Sequence, residues 1–214
     1  MDDSPRTGEQ RVPPGQYLTD KWPVLSYGPT PDVDLATWRL RIFGRVAEER
    51  SLSWGQFQSL PRSEIVADFH CVTRFSTLDN PWSGVSTRDL LATVRVAPEA
   101  SHVVVHGAEG YTTNLPLEDL LSRYALFADR HSGEPLAPDH GGPLRLVVPH
   151  LYAWKSAKWV TGVEILEEDR RGFWERAGYH TYGDPWAEER FSSQEFEAAH
   201  QVRRRAKELG LELS

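Results

Sequence analysis

One cysteine among 214 residues is the scarcity that restricts this sequence most. A single thiol cannot close an internal disulfide, so a disulfide framework is excluded. Three roles remain open to Cys71: inert buried thiol, nucleophile, or metal ligand. Positive charge is also short. Lys and Arg number 24 against 31 Asp and Glu, a net charge of −7, which leaves no basic field to follow a nucleic-acid backbone. No apolar run approaches the ~20 residues of a spanning helix, so no membrane span is expected. The stretch from Met1 to Pro14 is polar, with neither an apolar signal core nor a twin-arginine pair. With one cysteine beside it, this predicts the cytoplasm. The pattern Gly-x-x-x-x-Gly-Lys-Ser/Thr is missing, which excludes a nucleotide triphosphatase of the P-loop kind.

What is present suffices for one sizeable core, with 39% hydrophobic and 11% aromatic residues, and hence one domain. Eight tryptophans point to a deep pocket or extensive aromatic packing. Residues 1–16, rich in charge, Pro and Gly, read as a flexible lead, 17–191 as the domain, and 192–214 as an amphipathic helix and tail. Alternation predicts a half-buried strand over Thr37–Gly44. Ser53 caps a short helix to Leu60, and Ser86 or Thr87 caps another to Ala92. Ile65–Phe69, His102–His106, Tyr111–Leu115, Ala125–Ala128 and Thr161–Leu166 read as extended, with a short helix from Leu117. Thr77–Pro81 and Asp129–Pro138 read as loops, and the segments 172–175 and 178–186 as aromatic loops. Ser192 and Glu195 form a capping box for a helix whose apolar face runs Phe196, Ala199, Val202, Ala206, Leu209. Short helices mixed with strands, without a βαβ repeat, argue for an α+β domain with mixed β-sheets.

Two stretches carry chemistry. In Asp68–Ser76, the strand ending at Phe69 delivers His70 and Cys71 to a rigid terminus, and His70 and Arg74 both favour the thiolate. In His140–Pro149 a Gly-rich turn precedes a strand. Glycine turns can aim backbone N–H groups at an anion, and Arg145, Lys155 and Lys158 add charge. The alternative is a hairpin turn with solvated lysines.

Five motifs in order resemble the sulfite oxidase-like family of molybdopterin-dependent oxidoreductases. They are Phe69-His70-Cys71-Val72-Thr73-Arg74, Trp82-Ser83-Gly84-Val85, Gly110–Leu117, His140–Pro149 and Tyr152–Trp159. Gly178-Tyr179-His180 and Gly183-Asp184-Pro185-Trp186 are similar to the short bacterial cytoplasmic members. The resemblance implies a molybdenum–molybdopterin cofactor, two-electron oxygen-atom transfer on a small oxyanion or S- or N-oxide, and Cys71 as the metal ligand, a soft thiolate on a transition metal. It implies pterin contacts from His140, Arg145 and, on a looser alignment, Gly107. Ser156, Ala157 and Lys158 would hold the terminal phosphate, with Lys155 adjacent. Tyr111 would donate a hydrogen bond to substrate near the metal's oxo face.

The sequence departs from the sulfite oxidases proper. Leu25-Ser26-Tyr27-Gly28 lacks their Arg and His, and Ser76 stands where they carry an Arg, with Arg74 as the nearby substitute. Weaker sulfite binding is the expectation. No haem or flavin segment is visible, so electrons are expected to pass to a separate carrier or redox protein. His106 is a further substrate-side candidate, or a solvent-facing strand histidine. His180 and Asp184 either cover the pocket or, the favoured reading, cap the fold. Two rivals stand beside the molybdenum enzyme: a cysteine hydrolase using Cys71 with His70 or His106, and a metal-free binding module on the same fold.

Overall fold

The computed structural model describes residues 11–197. Eleven strands appear among them: β1 (Tyr17–Leu18), β2 (Arg39–Gly44), β3 (Arg50–Ser53), β4 (Ser63–His70), β5 (Phe75–Ser86), β6 (His102–Gly107), β7 (Thr112–Pro116), β8 (Leu126–His131), β9 (Glu134–Pro135), β10 (Arg145–Val147) and β11 (Val160–Leu166). The helices are one turn or little more: α1 (Trp54–Gln58), α2 (Thr87–Leu91), α3 (Leu117–Leu120) and α4 (Phe173–Arg176). One sheet has the order β1-β5-β8-β10, with β4 on β5 and β9 on β8. The other has the order β3-β2-β11-β6-β7. The architecture is the α+β one the sequence implies, with mixed sheets.

Local chemistry sets the elements. In β2, Leu40 and Ile42 are buried while Arg39 and Arg41 face out, the period of two that a one-sided strand requires. Ser53 caps α1, and Gln56 reaches back to complete a capping box. Ser86 caps α2 through the Asp89 N–H. Leu40, Ile42, Val103, Val105, Val163 and Ile165 of the second sheet pack with Phe57, Leu90 and Leu120 into the main core. A smaller cluster lies under the β4–β5 hairpin, formed by Ala67, Phe69, Cys71, Phe75, Trp82, Leu126, Ala128, Leu136 and Val147.

Four expectations are corrected. Thr77–Pro81 is not a loop but the middle of β5, a strand of 12 residues. Proline fits because β8 pairs with β5 only from Trp82 onward, so Pro81 stands where one side of the strand has no ladder to supply. Asp129–Pro138 is not a loop either. β8 continues to His131 and returns as β9 through Ser132-Gly133, with φ of 51° and 81°, the two positive values of a tight hairpin turn. Phe173–Arg176 is a helical turn rather than an aromatic loop. The capping box at 192–195 is replaced: the Gln194 side chain accepts from the Arg190 and Phe191 N–H groups, each at 2.8 Å. Glu195 instead accepts from the Thr181 N–H at 2.6 Å and from Arg171 at 2.5 Å. Phe196 is 63% exposed; Ala199, Val202, Ala206 and Leu209 lie outside the described residues.

The lead expected over 1–16 is described from Arg11, and this part lies against the domain. The Arg11 guanidinium bridges Asp68 at 2.5 Å and Asp79 at 2.6 Å. Asp79, at φ 55°, and a register shift between Ala67 and Phe69 form the irregularity that turns both carboxylates to Arg11.

Candidate active site

The β4–β5 hairpin ends in a hydrogen-bonded turn. Arg74 N–H donates to Cys71 O and Cys71 N–H to Phe75 O, each at 2.9 Å. Arg74 takes the left-handed region at φ 82°, the conformation that closes such hairpin loops. Two distant segments hold the turn from behind. Gln16 Nε2 donates to Cys71 O at 3.1 Å, and Arg190 donates to Val72 O at 2.8 Å and to Pro14 O at 3.4 Å. The tip therefore holds Cys71 rigidly beside a cavity of about 330 Å³, a size that suits a compact organic ligand.

Cys71 is 7% exposed, and burial pushes its thiol above the ordinary value. Opposing this, Thr73 gives the sulfur a hydroxyl hydrogen bond at 3.2 Å. The Thr73 backbone N–H and the charges of Arg190 and Lys158 also favour the thiolate. Among the described residues no three His, Cys, Asp or Glu side chains are grouped to hold a metal ion. Cys71 is the one thiol in the lining and no protein cluster completes a coordination shell around it, so a metal here would take ligands from outside the protein.

Arg145 and Lys158 line the same cavity. Arg145 is 2% exposed and lies 5.2–5.6 Å above the rings of Phe69, Trp82 and Trp22. Its nitrogens donate to His140 O at 2.8 Å and Ser156 O at 3.2 Å, while its buried Nε has no partner. Burial brings its pKa down to about 10. Lys158 Nζ donates to Asp139 O at 2.7 Å and to Leu25 O and Ser26 Oγ, each at 2.9 Å. Burial and then Arg145 lower Lys158 to about 8. Both cations thus hold only neutral oxygens. Two desolvated positive charges lining one cavity fit an anionic group such as a phosphate.

The remaining candidates divide. Tyr111, His140 and Ser156 line the cavity with Cys71, Arg145 and Lys158. The His140 ring stacks on Trp22 at 3.8 Å and 20°, and burial lowers its pKa. Tyr111 is corrected in role. Its hydroxyl donates to Trp154 O at 2.7 Å, so the expected donor to substrate is already committed. Burial raises its pKa well above the usual value, which keeps the phenol protonated.

Lys155 is a clear correction. Its side chain is 1% exposed and pairs with Glu175 at 2.7 Å; it also donates to Asn114 O at 2.9 Å and Thr181 O at 2.5 Å. It does not line the cavity. Ala157 is buried in the main core. Gly107 also lies outside the lining: it donates to Tyr111 O at 2.8 Å, and a Cβ there would meet Lys158 O at 2.5 Å. Arg74 is exposed and is not among the residues that line the cavity. The Gly-rich turn is not an anion nest, because the N–H groups of His140, Gly141 and Gly142 donate to Ala137 O, Pro138 O and Ala137 O. Its glycines serve close packing instead. A Cβ on Gly142 would meet Leu136 O at 2.2 Å.

The two proposed bases have other partners. His106 pairs with Glu164 at 2.8 Å and packs on Phe43, while His70 Nδ1 faces Ser76 Oγ at 2.9 Å. His180 accepts the Tyr182 and Gly183 N–H groups at 3.1 and 3.2 Å, and Asp184 accepts that of Trp186 at 2.7 Å; both caps are local. Sequence reasoning missed Trp22, Thr73, Glu175 and Arg190. The high tryptophan count was the one signal for Trp22. Thr73 stands inside the Cys71 motif, which does not single out its hydroxyl, while Glu175 and Arg190 act through buried polar and backbone contacts that no motif advertises.

A family model described as the oxidoreductase molybdopterin binding domain matches residues 27–174. The uncharacterized oxidoreductase YuiH of Bacillus subtilis (strain 168) is 49% identical over 183 residues, 85% of this chain and 92% of that one. The mitochondrial sulfite oxidase of Rattus norvegicus is 26% identical over 78% of this chain and 37% of its own length. The putative protein-methionine-sulfoxide reductase subunit YedZ1 of Azospira oryzae is 25% identical, over 79% and 66%. The chain therefore spans nearly all of the Bacillus protein but a little over a third of the mitochondrial one. Among solved structures, the sulfane dehydrogenase SoxCD of Paracoccus pantotrophus shares the fold, with a TM-score of 0.61 at 23% identity, over 70% of this chain and 42% of that one.

Proposed function

We propose, for a chain that belongs to the molybdopterin-binding oxidoreductase family, a two-electron oxygen-atom transfer enzyme acting on a small S- or N-oxide or oxyanion. The cofactor, when bound, supplies the redox and oxygen-transfer chemistry. The protein supplies ligation, orientation and exclusion of water. In this reading Cys71 ligates the metal. Arg145 and Lys158 hold the anionic end of the pterin, with His140 and Ser156 beside them. Trp22, stacked on His140, shields that end from water.

The observation that carries this reading is one cavity lined by the only cysteine and by two cations whose partners are all neutral oxygens. The lining supports an uncharged oxide ahead of sulfite, because Tyr27, Phe173, Trp174 and Tyr179 are aromatic and carry no charge, and the one carboxylate among the lining residues, Glu109, would repel an anion. Among the described residues no helix is long and apolar enough to cross a membrane. Electron exchange with a separate carrier in the cytoplasm completes the proposal.

The test is elemental analysis of protein from a molybdopterin-producing host, wild type beside Cys71→Ser. Near-stoichiometric molybdenum in the wild type, with loss or an altered metal spectrum in the variant, is the expected result. Equal metal and equal spectra in both would remove Cys71 from the centre. Assays of sulfoxide reduction and sulfite oxidation on the loaded enzyme then test the substrate, and a preference for sulfite would overturn the uncharged-oxide reading.

A further inference from the structure

We infer that Thr73 is a positioning residue that sets the donor strength of the Cys71 sulfur, and with it the reduction potential of the metal; this rests on the reading of Cys71 as ligand. The turn bends so that the Thr73 hydroxyl donates to Cys71 Sγ at 3.2 Å, and both residues line the cavity. The side chain is exposed and has no packing duty in either core cluster. Among the described residues its hydroxyl bonds the sulfur. The backbone around it is fixed: Gln16 holds Cys71 O and Arg190 holds Val72 O, so the Thr73 Cα keeps its place beside the sulfur.

A hydrogen bond to a ligating sulfur withdraws electron density from it. A weaker sulfur donor stabilises the reduced metal relative to the oxidised one, and hydrogen bonding to ligand sulfurs is a recognised way for a protein to set a potential. Thr73 thereby biases the centre toward its reduced state. Threonine suits this duty because its branched side chain restricts χ1 and keeps the hydroxyl in place, whereas valine has the same shape without the donor.

The experiment is a redox titration of molybdenum-loaded protein followed by electron paramagnetic resonance, comparing wild type with Thr73→Val, Thr73→Ala and Thr73→Ser. Metal content is measured on each, and Cys71→Ser is carried alongside. Equal molybdenum with a lower midpoint in Val and Ala is expected. The oxidised-to-reduced ratio at a fixed potential should rise about tenfold, or ~59 mV for a one-electron step. Ser should return toward the wild type. An unchanged midpoint in Val and Ala, with metal lost from Cys71→Ser, would overturn the role of Thr73 while leaving Cys71 as ligand. Metal and spectrum retained in Cys71→Ser would overturn both. Loss of metal from Val and Ala alike would assign Thr73 to cofactor retention and overturn the tuning role.

Discussion

Replacing Glu175 with Gln should destabilise the fold by about 3 kcal/mol, through a lysine that the sequence offers as a cofactor ligand. Lys155 and Glu175 lie 2.7 Å apart with side chains 1% and 0% exposed. Removing one partner of such a buried pair leaves an uncompensated charge, at a cost of about 3–5 kcal/mol. The low end applies, since Asn114 O, Asn114 Oδ1 and Thr181 O still surround the ammonium. Glu175 Oε2, moreover, has no partner to lose. For a chain of this size the loss corresponds to a drop in Tm of about 6–12 °C. Burial already lowers the Lys155 pKa and Glu175 opposes that, so the variant lowers it further. The unfolded chain then binds more protons than the folded one below lysine's ordinary ~10.4, and stability rises with pH across that window. The deficit should accordingly narrow as pH climbs from neutrality toward ~10.4. Guanidinium unfolding of both proteins across that range is the assay. A deficit under ~1 kcal/mol, or one that widens with pH, would refute the buried-pair reasoning. The double variant Lys155→Met, Glu175→Leu should recover most of the loss, short of the hydrogen bond that Trp154 Nε1 makes to Glu175 at 3.0 Å.

Arg74→Gly should stabilise the protein by up to ~1 kcal/mol, since an L residue at φ 82° carries that strain; a raised denaturant midpoint with turnover unchanged checks this, and lost turnover would return Arg74 to the substrate site. Lys158, lowered to about 8, is charged below that pH and loses its charge above it. Retention of a phosphate-bearing pterin should therefore weaken as pH rises past this value, at a point shifted upward by the anion itself. Pterin fluorescence released on dialysis measures it, and Lys158→Arg should flatten the pH dependence.

How much of this was legible in the sequence follows from what kind of contact each residue makes. Leu40 and Ile42 alternate with arginines, and Ser53 precedes Gln56 by a capping distance, so those elements could be read directly. Asn80-Pro81 carries a turn signal, yet β4 supplies pairing on one side and the β8 ladder starts one residue later. That tertiary arrangement is invisible in a local window. Motif resemblance brought Cys71, Tyr111, His140, Arg145, Ser156 and Lys158 to one cavity. It could not separate Lys158 from Lys155, three positions earlier in the same motif, because their fates depend on Glu175, which arrives from a distant segment. Likewise the glycines at 141 and 142 have the composition of an anion-binding turn. Their amides nonetheless close on Ala137 and Pro138, and chain geometry alone decides that.

Arg190 joins Val72 to Pro14, the latter 176 positions upstream, and this has a consequence for biosynthesis. A chain emerging from the ribosome exposes Cys71 long before residue 190 exists, when the turn behind the thiol still lacks one of its two clamps. On the proposal that Cys71 ligates the metal, its seat would be completed only once residue 190 has been made, and cofactor loading would follow synthesis of that segment.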